Sequence, residues 1–123
     1  MQKNKLYMNF TSQDGEAWDK LKPENFKIGN IFTTFRGYGP KKDKYYQDNK
    51  GKKFIIKNDL RAIGEAVLLK KRYIWSTEIG IVDIRNDTKQ SFTMEDWKNL
   101  MQTFYGNSKV FGYILEFQIT DVY

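Results

Sequence analysis

The sequence predicts an α+β protein: a small, mainly antiparallel, barrel-like β-sheet with about three short helices. Three observations predict it. The first is the run of β-branched and aromatic segments at hairpin-like spacing through the middle of the chain. The second is a helical stripe, Trp97, Leu100, Met101 and Phe104, that stops at Gly106. The third is the clean alternation of Phe111, Tyr113, Leu115, Phe117 and Ile119, which reads as a long half-buried strand to Val122.

The elements follow in order. Lys5 to Phe10 (KLYMNF) reads as a strand. Ser12 is a helix cap with Asp14 and Glu16 in the first turn, and Ala17, Trp18 and Leu21 form a short apolar stripe that Pro23 ends. Ile28-Gly29-Asn30 is a turn into the strand Ile31 to Arg36, which alternates Ile31, Thr33 and Phe35 against Phe32, Thr34 and Arg36. A long loop follows. Lys52 to Lys57 is then a strand, Asn58-Asp59 a tight turn, and Ala62 to Tyr73 begins as a third strand. Ser76 is positioned to cap a helix from Thr77 to about Arg85 with Ile79 and Val82 inward. Thr93 and Asp96 have capping-box spacing before the helix that begins at Met94. With 123 residues and no internal repeat or linker, one domain covers residues 1–123.

Composition removes several chemistries. The chain has no cysteine and no histidine, so disulfides, thiolate nucleophiles, Cys/His zinc sites and Ser-His-Asp triads are excluded. No cofactor or metal is called for. No run of about 20 apolar residues is present, so no membrane partner is expected. The N-terminus has no apolar core of a signal peptide, so the expected location is cytoplasmic.

Charge is unevenly placed. Residues 36–72 hold twelve Lys/Arg and four Asp/Glu, net +8, while the rest hold nine and eleven, net −2. That asymmetry favours an anionic partner: RNA first, DNA second. The stretch from Phe35 to Phe54, FRGYGPKKDKYYQDNKGKKF, concentrates it. Lysines neutralise phosphates and tyrosine faces stack on bases, so Arg36, Tyr38, Lys41, Lys42, Lys44, Tyr45, Tyr46, Lys52 and Lys53 are candidate contacts. Lys70, Lys71 and Arg72, followed by Tyr73 and Trp75, form a second basic-aromatic cluster, in which Trp75 reads more simply as a core anchor. Glu65 shares a predicted strand face with Ile63, Val67 and Leu69, and a carboxylate there calls for a partner or a role as general base. The plain reading of the lysines is solubility charge on a protein-interaction domain.

Three stretches together resemble the ASCH domain, a branch of the PUA-like superfamily: Lys27–Phe35 (KIGNIFTTF), Ile63–Trp75 (IGEAVLLKKRYIW) and Trp97–Ile119, where an aromatic helix ending FYG leads to VFGYILEFQI. They span residues 27 to 119. The resemblance implies a small pseudo-barrel whose cleft receives RNA or a modified base. It also implies an alternative, since a few small relatives hydrolyse amides on nucleosides through Thr, Lys and Glu. Thr34, Glu65 and Lys44 are the matching candidates here. Many members carry G-x-K-x-x-E-x-R near the first helix; this chain reads QDGEAWDKLKPENFKIG there and lacks that spacing. The resemblance thus supports the fold better than any one activity.

Overall fold

The computed structural model describes residues 5–11 and 18–123. It is an α+β fold with five strands: β1 (Tyr7–Phe10), β2 (Ile31–Gly37), β3 (Lys53–Asn58), β4 (Arg61–Trp75) and β5 (Phe111–Val122). The helices are α1 (Pro40–Asp48), α2 (Ile81–Asp87) and α3 (Met94–Tyr105), with 3-10 turns at Asp19–Leu21 and Ser76–Glu78. The strand order is β1-β3-β4-β5-β2, antiparallel except for the parallel β1–β3 pair. The helix cap expected at Ser12 lies outside the described residues. No described helix is long and apolar enough to cross a membrane.

β5 lies between β2 and β4, and its alternation sends one face into the core. Phe117 pairs across to Phe32 on β2 and Leu68 on β4, and the Phe32 and Phe117 rings stack at 5.4 Å with Phe54 edge-on at 5.5 Å. Small residues let the strands close up: a Cβ on Gly64 would lie 2.2 Å from the Asp121 carbonyl oxygen. On the convex side Phe35 and Ile114 meet the helix layer, with Phe35 edge-on to Trp97 at 5.7 Å. Asp59 and Leu60 both take positive φ (48° and 71°), which makes the β3–β4 link a two-residue hairpin turn of the hand that matches strand twist.

The sheet is open: β1 and β2 are its two edges. It curls until those edges face each other, with the Phe10 and Phe32 rings 6.0 Å apart and Arg36 Nη2 donating to the Asn9 carbonyl at 2.9 Å. Each edge is blunted by side chains, as exposed edges require. On β2, Lys20 donates to the Thr33 carbonyl (2.9 Å), the Phe35 N–H donates to Asp87 (3.2 Å), and the Gly37 N–H donates to the Tyr105 hydroxyl (2.9 Å). On β1, the Tyr7 N–H donates to the Tyr45 hydroxyl at 3.3 Å.

Three expectations change. The basic stretch is no loop: Pro40–Asp48 is a helix, with Pro40 in its first turn and Gly39 before it. The helix expected from Thr77 starts at Ile81 instead. Ser76 is buried rather than capping, its hydroxyl accepting the Val110 N–H at 2.9 Å, and Val82 is exposed while Ile84 is buried. Glu65 is on the outward face of β4, because Gly64, Ala66 and Leu68 take the buried one.

Candidate nucleic-acid interface

The facing edges of the sheet leave a seam, and the seam opens into a cleft of about 200 Å³. Tyr7 and Asn9 line it from β1, Arg36 and Gly37 from β2, Lys42 and Tyr46 from α1, Tyr105 from α3 and Tyr113 from β5. Local sequence explains each placement. The period-two alternation of β2 and β5 sets Arg36 opposite Tyr113. Helical spacing on α1 puts Lys42 and Tyr46, four residues apart, on the cleft side. Gly106 (φ 71°) ends α3 directly after Tyr105, which leaves that ring at the rim.

Two polar atoms in this cleft are buried without a hydrogen-bond partner among the described residues: Arg36 Nε and the Tyr113 hydroxyl. Buried polar groups are nearly always paired, so such atoms call for an explanation. Burial pushes the Tyr113 phenol well above its ordinary range, and burial does the same, less strongly, to Tyr46. Both hydroxyls therefore remain donors at neutral pH. Tyr46 donates to the Met8 sulfur at 3.4 Å, so the Tyr113 hydroxyl and Arg36 Nε are the donors in the cleft left without a partner among the described residues. The Arg36 guanidinium also sits 5.0 Å over the Phe10 ring.

α1 separates this cleft from a broad groove of about 1080 Å³ lined by Lys5, Leu6, Tyr45, Asn49, Lys52, Lys53, Ile55, Glu65 and Tyr123. Lys42 spans the ridge, 5.4 Å over the Tyr45 ring. Lys53 pairs with Asp121 at 3.2 Å in an exposed bridge; hydrogen bonds first from Thr120 and then from Lys53 hold the Asp121 carboxyl below its usual range. Slight burial, then the Glu65 carboxylate, push the Tyr123 phenol up.

The sequence candidates divide. Arg36 and Lys42 line the cleft, Tyr45, Lys52 and Lys53 line the groove, and Lys41 is exposed beside them on α1. Tyr38 is exposed against Phe111. Tyr46 has its ring in the core against Phe54 and Tyr113, so it is no free stacking face. Lys44 is tied to Asp48 at 2.9 Å, which raises its pKa. Lys71 is not available to phosphate: its side chain is 1% exposed and bonded to Asp43, whose carboxylate also accepts the Tyr73 hydroxyl at 2.8 Å. Lys70 and Arg72 are exposed, but alternation along β4 turns them to the face opposite Lys71. Trp75, read as a core anchor, is 39% exposed.

Thr34, Glu65 and Lys44 are not brought together. Buried Thr34 lines a small cavity of about 90 Å³ behind Arg36, Glu65 lines the groove beyond α1, and Lys44 is held by Asp48. Tyr7, Asn9, Tyr105 and Tyr113 were missed as site residues. Tyr113 did carry a signal, as the one hydroxyl on the inward stripe of β5. Compared with family models, curated proteins and solved structures, the chain matches none of them.

Proposed function

We propose that the protein is a single-stranded RNA-binding module that takes one base into the seam cleft and tracks the adjoining backbone along α1. The observation that carries this reading is the pair of buried, unpartnered polar atoms, Arg36 Nε and the Tyr113 hydroxyl, in a tyrosine-lined cleft. Drug-sized sites measure about 300–1,000 Å³, so a volume of about 200 Å³ suits one heterocycle rather than a whole nucleotide. A base offers the acceptors that a guanidinium and a phenol would bind, together with a flat face for Tyr7 or Tyr105. The exposed lysines Lys41, Lys42, Lys50 and Lys52 on and beside α1 supply the phosphate contacts. The curled, nearly closed sheet with a cleft at its seam also supports a PUA-like pseudo-barrel as the architecture. The dispersal of Thr34, Glu65 and Lys44 supports binding rather than hydrolysis.

The test is fluorescence anisotropy of a labelled single-stranded octaribonucleotide with wild type, Arg36→Ala and Tyr113→Phe. Loss of one hydrogen bond from Tyr113 weakens binding roughly two- to tenfold, and loss of the guanidinium weakens it more. Unchanged affinity in both variants would remove the cleft from the account.

A further inference from the structure

Past the end of β3, β4 and β5 run on together, with β2 paired to β5 as far as Gly37–Gly112, and this end of the sheet carries an exposed aromatic cluster. Tyr73 and Trp75 come from β4, Phe111 from β5, and Tyr38 from the residue after β2, whose N–H donates to the Phe111 carbonyl at 2.8 Å. Phe111 is the hub: its ring lies 5.1 Å from Trp75, 5.9 Å from Tyr38, and parallel to Tyr73 at 6.0 Å with 6° between planes. All four are 38–50% exposed, in contrast to Trp18 and Trp97 at 5% and 2%. A contiguous exposed aromatic patch of this kind marks a contact surface.

We propose that this cluster is a stacking platform for the unpaired nucleotides next to the one in the seam cleft. The inference rests on the RNA reading and deepens it from base recognition to recognition of a short single strand. Three observations select that occupant. First, an exposed cation already lies on the patch: Lys109 Nζ is 4.9 Å over Trp75, whereas Lys71 beside Tyr73 is already neutralised by Asp43. A cationic ligand would meet like charge at Trp75, whereas a phosphate-bearing ligand with π faces satisfies both the Lys109 ammonium and the rings. Second, the platform is continuous with the cleft, because Tyr73 packs edge-on against Tyr113 at 6.2 Å and Tyr113 lines the cleft. Third, the Lys71–Asp43–Tyr73 hydrogen bonds hold Tyr73 in place, so this part of the surface is preorganised. Duplex bases hide their faces in their own stack, so the platform selects single strands.

Trp75 is the exposed tryptophan of the three and reports directly. Titration of the protein with a single-stranded octaribonucleotide is expected to quench tryptophan fluorescence, and Trp75→Phe to abolish the quench. The affinity gained in going from a mononucleotide to the octamer should fall by roughly five- to a hundredfold in Trp75→Ala and again in Tyr38→Ala. Circular dichroism of each variant confirms folding. If both variants keep the full gain while Arg36→Ala loses binding, the platform is overturned and the cleft reading stands; the patch then serves a protein partner. If wild type binds neither ligand, the RNA reading fails and the platform with it.

Discussion

Asp87 ties the β2 edge of the sheet to the helix layer, and its removal breaks two buried contacts at once. Its Oδ1 lies 2.6 Å from Lys20 Nζ and its Oδ2 accepts the Phe35 N–H, while the two side chains are only 6% and 13% exposed. Asp87→Ala leaves a buried ammonium with one carbonyl partner among the described residues, and an orphaned β2 amide. Breaking a buried pair from one side costs about 3–5 kcal/mol. At about 2.1 cal/mol/K of unfolding entropy per residue, 123 residues convert that to a Tm drop of about 10–20 °C. The pH dependence adds a sign. Burial already depresses the Lys20 pKa below 10.5, and without its counterion the depression deepens. The unfolded chain then holds more protons than the folded one between the folded pKa and 10.5, so stability of Asp87→Ala rises with pH through that window. Differential scanning fluorimetry across that range reads both effects. A Tm within about 3 °C of wild type would refute the claim that the pair anchors the β2 edge.

Four further outcomes are expected. Tyr113→Phe removes a buried hydroxyl that has no partner among the described residues, so Tm in the absence of RNA should hold or rise while the octamer binds more weakly; a fall in Tm would show the hydroxyl to be structural. Leu60→Gly should stabilise by about 1 kcal/mol, since leucine at φ 71° in the hairpin is strained, measured as a shift in the urea midpoint. The Lys71 hydrogen bond, foremost, holds the Asp43 carboxyl below 3.8, so its stabilisation is present above that pH and lost as pH falls through the folded value. Asp43→Asn should therefore melt below wild type at neutral pH, with the gap narrowing in acid. Lys52→Glu should weaken RNA binding and make its salt dependence shallower by roughly one unit of log–log slope.

The fold was largely legible where one periodicity dominates. The β5 alternation is buried from Tyr113 to Ile119 and the α3 stripe at Trp97, Leu100 and Met101, while Phe111 and Phe104, expected in the same stripes, are 38% and 51% exposed; the Thr93/Asp96 capping box forms, with the Asp96 N–H donating to the Thr93 hydroxyl at 3.1 Å. α1 was not legible as a helix because PKKDKYYQD has no apolar stripe; only Tyr46 is buried, and what buries it are Phe54, Met8 and Tyr113 from other elements. The same tertiary dependence hid the fate of Lys71, whose partner Asp43 is 28 residues away. Arg36 was identified from its strand face. The seam that gives it meaning depends on how far the sheet curls, and no local pattern encodes that. The stretch of charge asymmetry coincides with the candidate site, since α1, the groove and the cleft all draw on residues 36–72.

The central claim is that the seam and the ridge of α1 bind single-stranded RNA through phosphate contacts and a captured base. The most direct measurement is the affinity for a labelled single-stranded octaribonucleotide, beside its duplex, at about 50 and about 200 mM salt. With about four phosphates neutralised on a single strand, the log–log slope is about −2.8, a loss of roughly fiftyfold across that range. Steep salt dependence with preference for the single strand is the predicted result. No binding at the lower salt, or binding that ignores salt and strandedness, would contradict the account.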